Sequence, residues 1–188
     1  MRRFLPALLI LAVLLVPGCG SKSQPQPQPV FEQYIAAIQQ GDFETAKTLV
    51  TADFADSMTP NMKDVAEPAV KAWLAKIQVS NIQTETKGNE ATVTFDISAP
   101  DLGVIVRTVT LEMYQYALSP QFQKDKSPVE QKQQKLSEMT VEKLLAMIED
   151  PEVAQSHQSG TATLVKEKDG WKISSINVEW KFNTASAN

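Results

Sequence analysis

At 188 residues the chain suits one domain of ordinary size. Its 22 acidic against 18 basic side chains leave a net charge of −4, a poor basis for holding nucleic acid or anionic lipid headgroups. One Cys and one His exclude an internal disulfide, a thiolate metal centre and an imidazole-rich metal site, so the domain must rest on its apolar core.

The chain opens with Arg2-Arg3, an almost unbroken apolar run from Phe4 to Val16, and then Pro17-Gly18-Cys19. At about 1.5 Å per residue that run reaches about 20 Å, short of a hydrocarbon core of about 30 Å. Pro6 and Pro17-Gly18 also suit a spanning helix badly. A basic head, a short apolar middle and small residues at a cut site make a secretory signal. With Cys19 directly after Gly18, it resembles the signal of bacterial lipoproteins. That resemblance implies a diacylglyceryl group on the Cys19 thiol, palmitate-type acylation and cleavage before Cys19. Residues 1–18 are then signal peptide, and the mature protein sits at the extracytoplasmic face of a cell membrane.

Ser21 to Pro29 is low-complexity, its Gln24 to Pro29 part alternating Gln and Pro, which favours extended polyproline II and makes residues 19–29 a tether. Phe31, Tyr34, Ile35 and Ile38 then follow helical spacing, so Val30–Gln40 reads as an amphipathic helix ending at Gly41. Asp42 caps a second short helix. Thr51 to Asn61 reads as irregular, with a helical turn near Phe54. A third helix fits Glu67–Lys76, with Pro68 at its first position.

From Val79 the period becomes two. Ala91, Val93, Phe95 and Ile97 alternate with Thr92, Thr94, Asp96 and Ser98, which predicts a strand with Asp96 on the solvent face. Lys87-Gly88-Asn89 is its hairpin turn. Pro100 to Gly103 reads as another turn, and Val104–Ala117 as a long strand carrying Arg107, Tyr114 and Tyr116. Ser119–Gln158 reads as a helical insertion between neighbouring strands, with a capping box at Ser127-Pro128-Val129-Glu130. Thr161–Glu167 and Trp171–Phe182 form a last hairpin. The apolar phase slips between Ile173 and Ile176, which predicts a β-bulge near Ser174-Ser175.

Helices first, then a bent antiparallel sheet ending in Lys168-Asp169-Gly170-Trp171-Lys172-Ile173, is similar to the NTF2-like superfamily. Tyr34 to Leu49 resembles the opening of that group, and in particular of small bacterial lipoproteins carrying one such domain. The fold expected is therefore α+β, with N-terminal helices packed on a strongly curved antiparallel sheet in a cone. Residues 30–188 form the single domain, with its insertion at about 119–158.

Chemistry is sparse. No paired-carboxylate spacing, phosphate loop or nucleophile elbow is present, and no cofactor or metal is expected. His157 lies in a polar run and reads as a surface strand-edge residue. Trp73, Trp171 and Trp180 read as core. Tyr34, Arg107, Tyr114 and Tyr116 are the candidates for a pocket. The leading function is a non-catalytic binding or accessory module of the cell envelope, held to the membrane by the lipid on Cys19. Its partner would be an envelope protein, a polymer or a small ligand. The alternative is an isomerase- or dehydratase-type enzyme of the NTF2-like fold using Tyr34 and a strand carboxylate. A third reading gives Ser119–Gln158 a partner-binding role.

Overall fold

The computed structural model describes residues 26–57 and 67–178. Cys19, the leader, most of the tether, Trp180 and Phe182 lie outside the described residues. Helix α1 (Pro27–Gln40) starts three residues earlier than its apolar period suggests, because Pro27 and Pro29 fit the first turn, where the missing N–H costs nothing. It ends at Gly41, whose φ of 67° lets its N–H reach Ile38 O at 3.0 Å while Asp42 N–H reaches Ala37 O at 2.9 Å. Asp42 caps α2 (Phe43–Thr48), accepting from Thr45 N at 3.0 Å. α3 (Ala52–Ser57) and α4 (Glu67–Ala75) come next.

Strands β1 (Gln78–Lys87), β2 (Glu90–Pro100), β3 (Gln155–Glu167) and β4 (Gly170–Val178) form a four-stranded antiparallel sheet in the order β1-β2-β3-β4. The alternation of β2 puts Ala91, Val93, Phe95, Ile97 and Ala99 on one face, where they meet Ala162, Leu164, Trp171 and Ile173. Helix α1 closes this core with Val30, Phe31, Tyr34 and Ala37. The Phe31 and Phe95 rings pack with centroids 4.7 Å apart. The outer edge of β4 is covered by the chain before α3: Thr51 N–H donates to Ile173 O, and Ile173 N–H to Leu49 O.

The bulge expected in β4 is present. Thr163 pairs with Ser175 and Leu164 with Ile173, leaving Ser174 as the extra residue. Its hydroxyl donates to Thr163 O at 3.1 Å. The inserted residue resets the phase, so Trp171, Ile173, Ile176 and Val178 all join one core.

One element departs from the sequence reading. Val104–Ala117 is not a strand but lies within helix α5 (Leu102–Leu118). Asp101 caps it, accepting from Val104 N at 3.1 Å, so the turn read at Pro100 to Gly103 is a helix start. α6 (Pro120–Lys124) and α7 (Val129–Glu149) complete the insertion. The helical insertion between β2 and β3 therefore begins near Asp101, and Gln155–Gln158 belongs to β3. The capping box does not form: Ser127 N–H instead donates to Asp125 Oδ1 at 2.8 Å. α5 and α7 pack with α4 around a second apolar cluster of Ala69, Ile105, Val109, Ile148 and Val153. Trp73 touches both clusters and donates from Nε1 to Pro100 O at 2.8 Å, fastening α4 to the start of the insertion.

Candidate functional site

The face of the sheet away from α1 is polar, because the residues that alternate with the core residues of β2 and β3 are Thr, Asp, Ser and His. Register pairs Thr94 with Thr161, Asp96 with Ser159, and Ser98 with His157. A second irregularity shapes one wall. β1 pairs Ser80 with Asp96 and Gln83 with Thr94, so Asn81 and Ile82 both stand opposite Phe95. Asn81 takes a φ of 52°, a left-handed backbone that Asn tolerates better than most residues. Its side-chain amide thereby reaches Asp96 Oδ2 at 2.7 Å.

The result is an open groove of about 510 Å³ lined by Ser80, Asp96, Ser98, His157, Gln158 and Ser159. It runs on past Asp96 and Ser159 into a second hollow of about 480 Å³ beside Asn81, Thr94, Thr161 and Asn177. Asp96 sits where the two meet. Its Oδ1 accepts from Ser159 Oγ at 2.9 Å while Oδ2 accepts from Asn81. These two bonds, Asn81's first, favour the charged carboxylate and hold its pKa below the usual aspartate range. Asp96 is thus an ionised acceptor at neutral pH, not a proton donor. His157 lies diagonally across from it on the same face, close enough for one small polar ligand to meet both. Among the described residues His157 makes no hydrogen bond to Asp96 or to a serine, so no nucleophilic dyad is assembled. Hydroxyls, amides, one carboxylate and one imidazole suit hydrogen bonding to a polar ligand.

The residues nominated from sequence are elsewhere. Tyr34 lies on the other side of the sheet, in the core, where burial pushes its hydroxyl up to about 12. No carboxylate bonds to it among the described residues. Arg107 and Tyr114 are exposed on α5, and Tyr116 packs edge-on to Phe122 at 5.6 Å. The expected strand would have carried all three, with Tyr114 and Tyr116 on one face and Arg107 on the other; the helix places none of them in the groove and none beside Tyr34. His157 is exposed on β3, in the stretch before Gly160 that pairs with β2 but with no β4 residue among those described, as its polar surroundings suggest. Asp96 and His157 each stand in a visibly alternating stretch. Their juxtaposition depends on the β2–β3 register, which is made across the whole insertion, and nothing local in the sequence signals it. No set of three or more His, Cys, Asp or Glu side chains among the described residues is placed to hold a metal ion. No helix among them is long and apolar enough to cross a membrane.

No protein-family model and no curated protein matches the chain. Among solved structures it is similar to a proposed ketosteroid isomerase from Shewanella frigidimarina NCIMB 400, with 15% identity and a TM-score of 0.42, over 80% of this chain and 91% of that one. It is also similar to a proposed dehydratase of the NTF2-like family from Streptomyces avermitilis, with 17% identity and a TM-score of 0.39, over the same 80% and 91%.

Proposed function

We propose that this chain is a lipid-anchored extracytoplasmic binding domain of the NTF2-like kind, which offers the polar face of its sheet to a ligand of the cell envelope. The observation that carries this reading is the filled interior. Between α1 and the sheet, Phe31 packs against Phe95 at a tilt and Tyr34 is buried in the same cluster, so the protein's own side chains occupy the ground between helix and sheet there. An open groove lies on the opposite face, where polar groups line it and, among the described residues, no hydrogen-bonded proton-transfer pair is built. The anchor reading draws its support from Cys19 at the end of a basic and apolar leader. Two acyl chains there, at about 0.8 kcal/mol per buried methylene, give lasting attachment.

Growth of a bacterial host with a clickable palmitate analogue tests the anchor. The protein takes up the label, mass spectrometry finds the lipid on Cys19, and Cys19→Ser takes up none. An intact Met1 on the native protein overturns it. The groove is tested separately, by NMR titration with soluble peptidoglycan fragments. Shifts at Asp96, His157 and Ser159 support a binding face. Shifts centred on Tyr34 favour the enzyme alternative.

A further inference from the structure

Helix α5 is apolar on two sides. Its inner side, Ile105 and Val109, is buried in the second cluster. At about 100° per residue, Arg107, Leu111, Tyr114 and Leu118 fall within about 60° of one another on the opposite side. They make an outward stripe about 16 Å long. Leu111, Tyr114 and Leu118 are 56%, 63% and 60% exposed. Arg107 and Glu112 are the helix's only charges, and Glu112 is paired with Lys143 at 2.9 Å. Every large apolar side chain that is exposed among the described residues is on α5 or at the start of α7: Val106, Leu111, Tyr114, Leu118 and Val129. A helix apolar all round normally has something packed on each side, and a contiguous exposed patch of this kind marks a contact surface.

The charges beside the stripe say what fits it. The stretch from the end of α6 through the first turns of α7 carries Lys124, Lys126, Lys132 and Lys135 against Asp125 and Glu130, a locally positive segment on a chain that is negative overall. None of these lysines makes a contact ion pair among the described residues; Lys132 and Lys135 act on the Asp125 carboxylate through space, and Lys132 lies over the Phe122 ring at 5.3 Å. Apolar side chains, a Tyr with a polar tip, a long Arg and a cluster of lysines that outnumber their acidic neighbours are what an anionic bilayer surface selects. Net charge averaged over the chain points away from anionic lipid, but screening confines each charge to about a Debye length, so the local cluster decides.

We infer that the outer face of α5, with the α5–α7 turn, docks on the surface of an anionic membrane and lies in its headgroup plane. This contact is independent of the lipid on Cys19 and would fix the orientation of the domain on the membrane.

The full-length chain with Cys19→Ser and Leu118→Cys has a single thiol, which accepts an environment-sensitive fluorophore. With Ser at position 19 it carries no lipid there, so failure of the anchor reading does not touch this test. Emission shifts to the blue on vesicles containing half phosphatidylglycerol and stays unshifted on phosphatidylcholine alone. Lys124→Glu with Lys126→Glu weakens the docked population roughly tenfold or more, at about 1 kcal/mol for each charge unit near the surface. The same probe at Asn89→Cys, in the β1–β2 turn, does not shift. No shift on anionic vesicles overturns the inference, as does an equal shift on both vesicle types. A blue shift that grows with protein concentration in detergent, without lipid, also overturns it and assigns the stripe to a second copy of the chain.

Discussion

Gly160 is the residue on which the packing of the sheet turns. A Cβ built there would lie 2.4 Å from Phe95 Cζ and 2.5 Å from Cε2, and the Phe95 ring cannot retreat because Phe31 lies against it. Gly160→Ala is therefore expected to cost about 1–3 kcal/mol, read as a lower urea midpoint. Phe95→Leu in the same chain should cost less than the sum of the two single changes, since it removes the clash. On the other face of the sheet the informative residue is Asp96. Its depressed pKa means the native state binds its proton less readily than the unfolded chain does. The stability it contributes is present above the ordinary aspartate pKa and is lost as pH falls through the native value. The stability gap between the native protein and Asp96→Ala, measured in urea, should hold at neutral pH and shrink towards about pH 2. A gap that does not change with pH would mean the Asn81 and Ser159 bonds do not depend on the charge.

At the scale of elements, α5 is the instructive case. Val104, Val106, Thr108 and Thr110 alternate as a strand does, and their β-branched side chains favour one. The same residues satisfy a helix whose two sides are both apolar, because every register then finds an apolar partner. What decided between them is Asp101, whose carboxylate caps Val104 N–H, and the packing of Ile105 and Val109 against Ile148. β2 and the Ser174 bulge were legible for the opposite reason: each has one apolar face and one polar face, which leaves a single workable phase. The helices α5 and α7 draw on a small core that meets the main one through Trp73. Ile105→Ala should cost about 2–5 kcal/mol locally. In hydrogen exchange, α5 and α7 should lose protection before β2 and β3 do. Equal loss in all four would show one cooperative core.

Across the whole molecule, the polar groove and the apolar stripe belong to different parts of the chain, the sheet and the insertion, and each carries what the other lacks. The sheet's open face offers oriented hydrogen-bonding groups without apolar bulk. The insertion offers apolar bulk and lysines. A negative net charge describes neither, because charge acts over about a Debye length and a sum over 188 residues does not record where its terms fall.

By itself the sequence settled the features that local period and local chemistry control: an α+β chain, helices before the sheet, the Gly41 and Gly88 corners, the β2 alternation and the bulge at Ser174. Only the tertiary structure decided that α5 is a helix, that Tyr34 fills the interior, and that Asp96 and His157 share one face. Each of those depends on contacts between segments far apart in the chain. Periodicity reports which face of a segment is apolar, but not what that face meets.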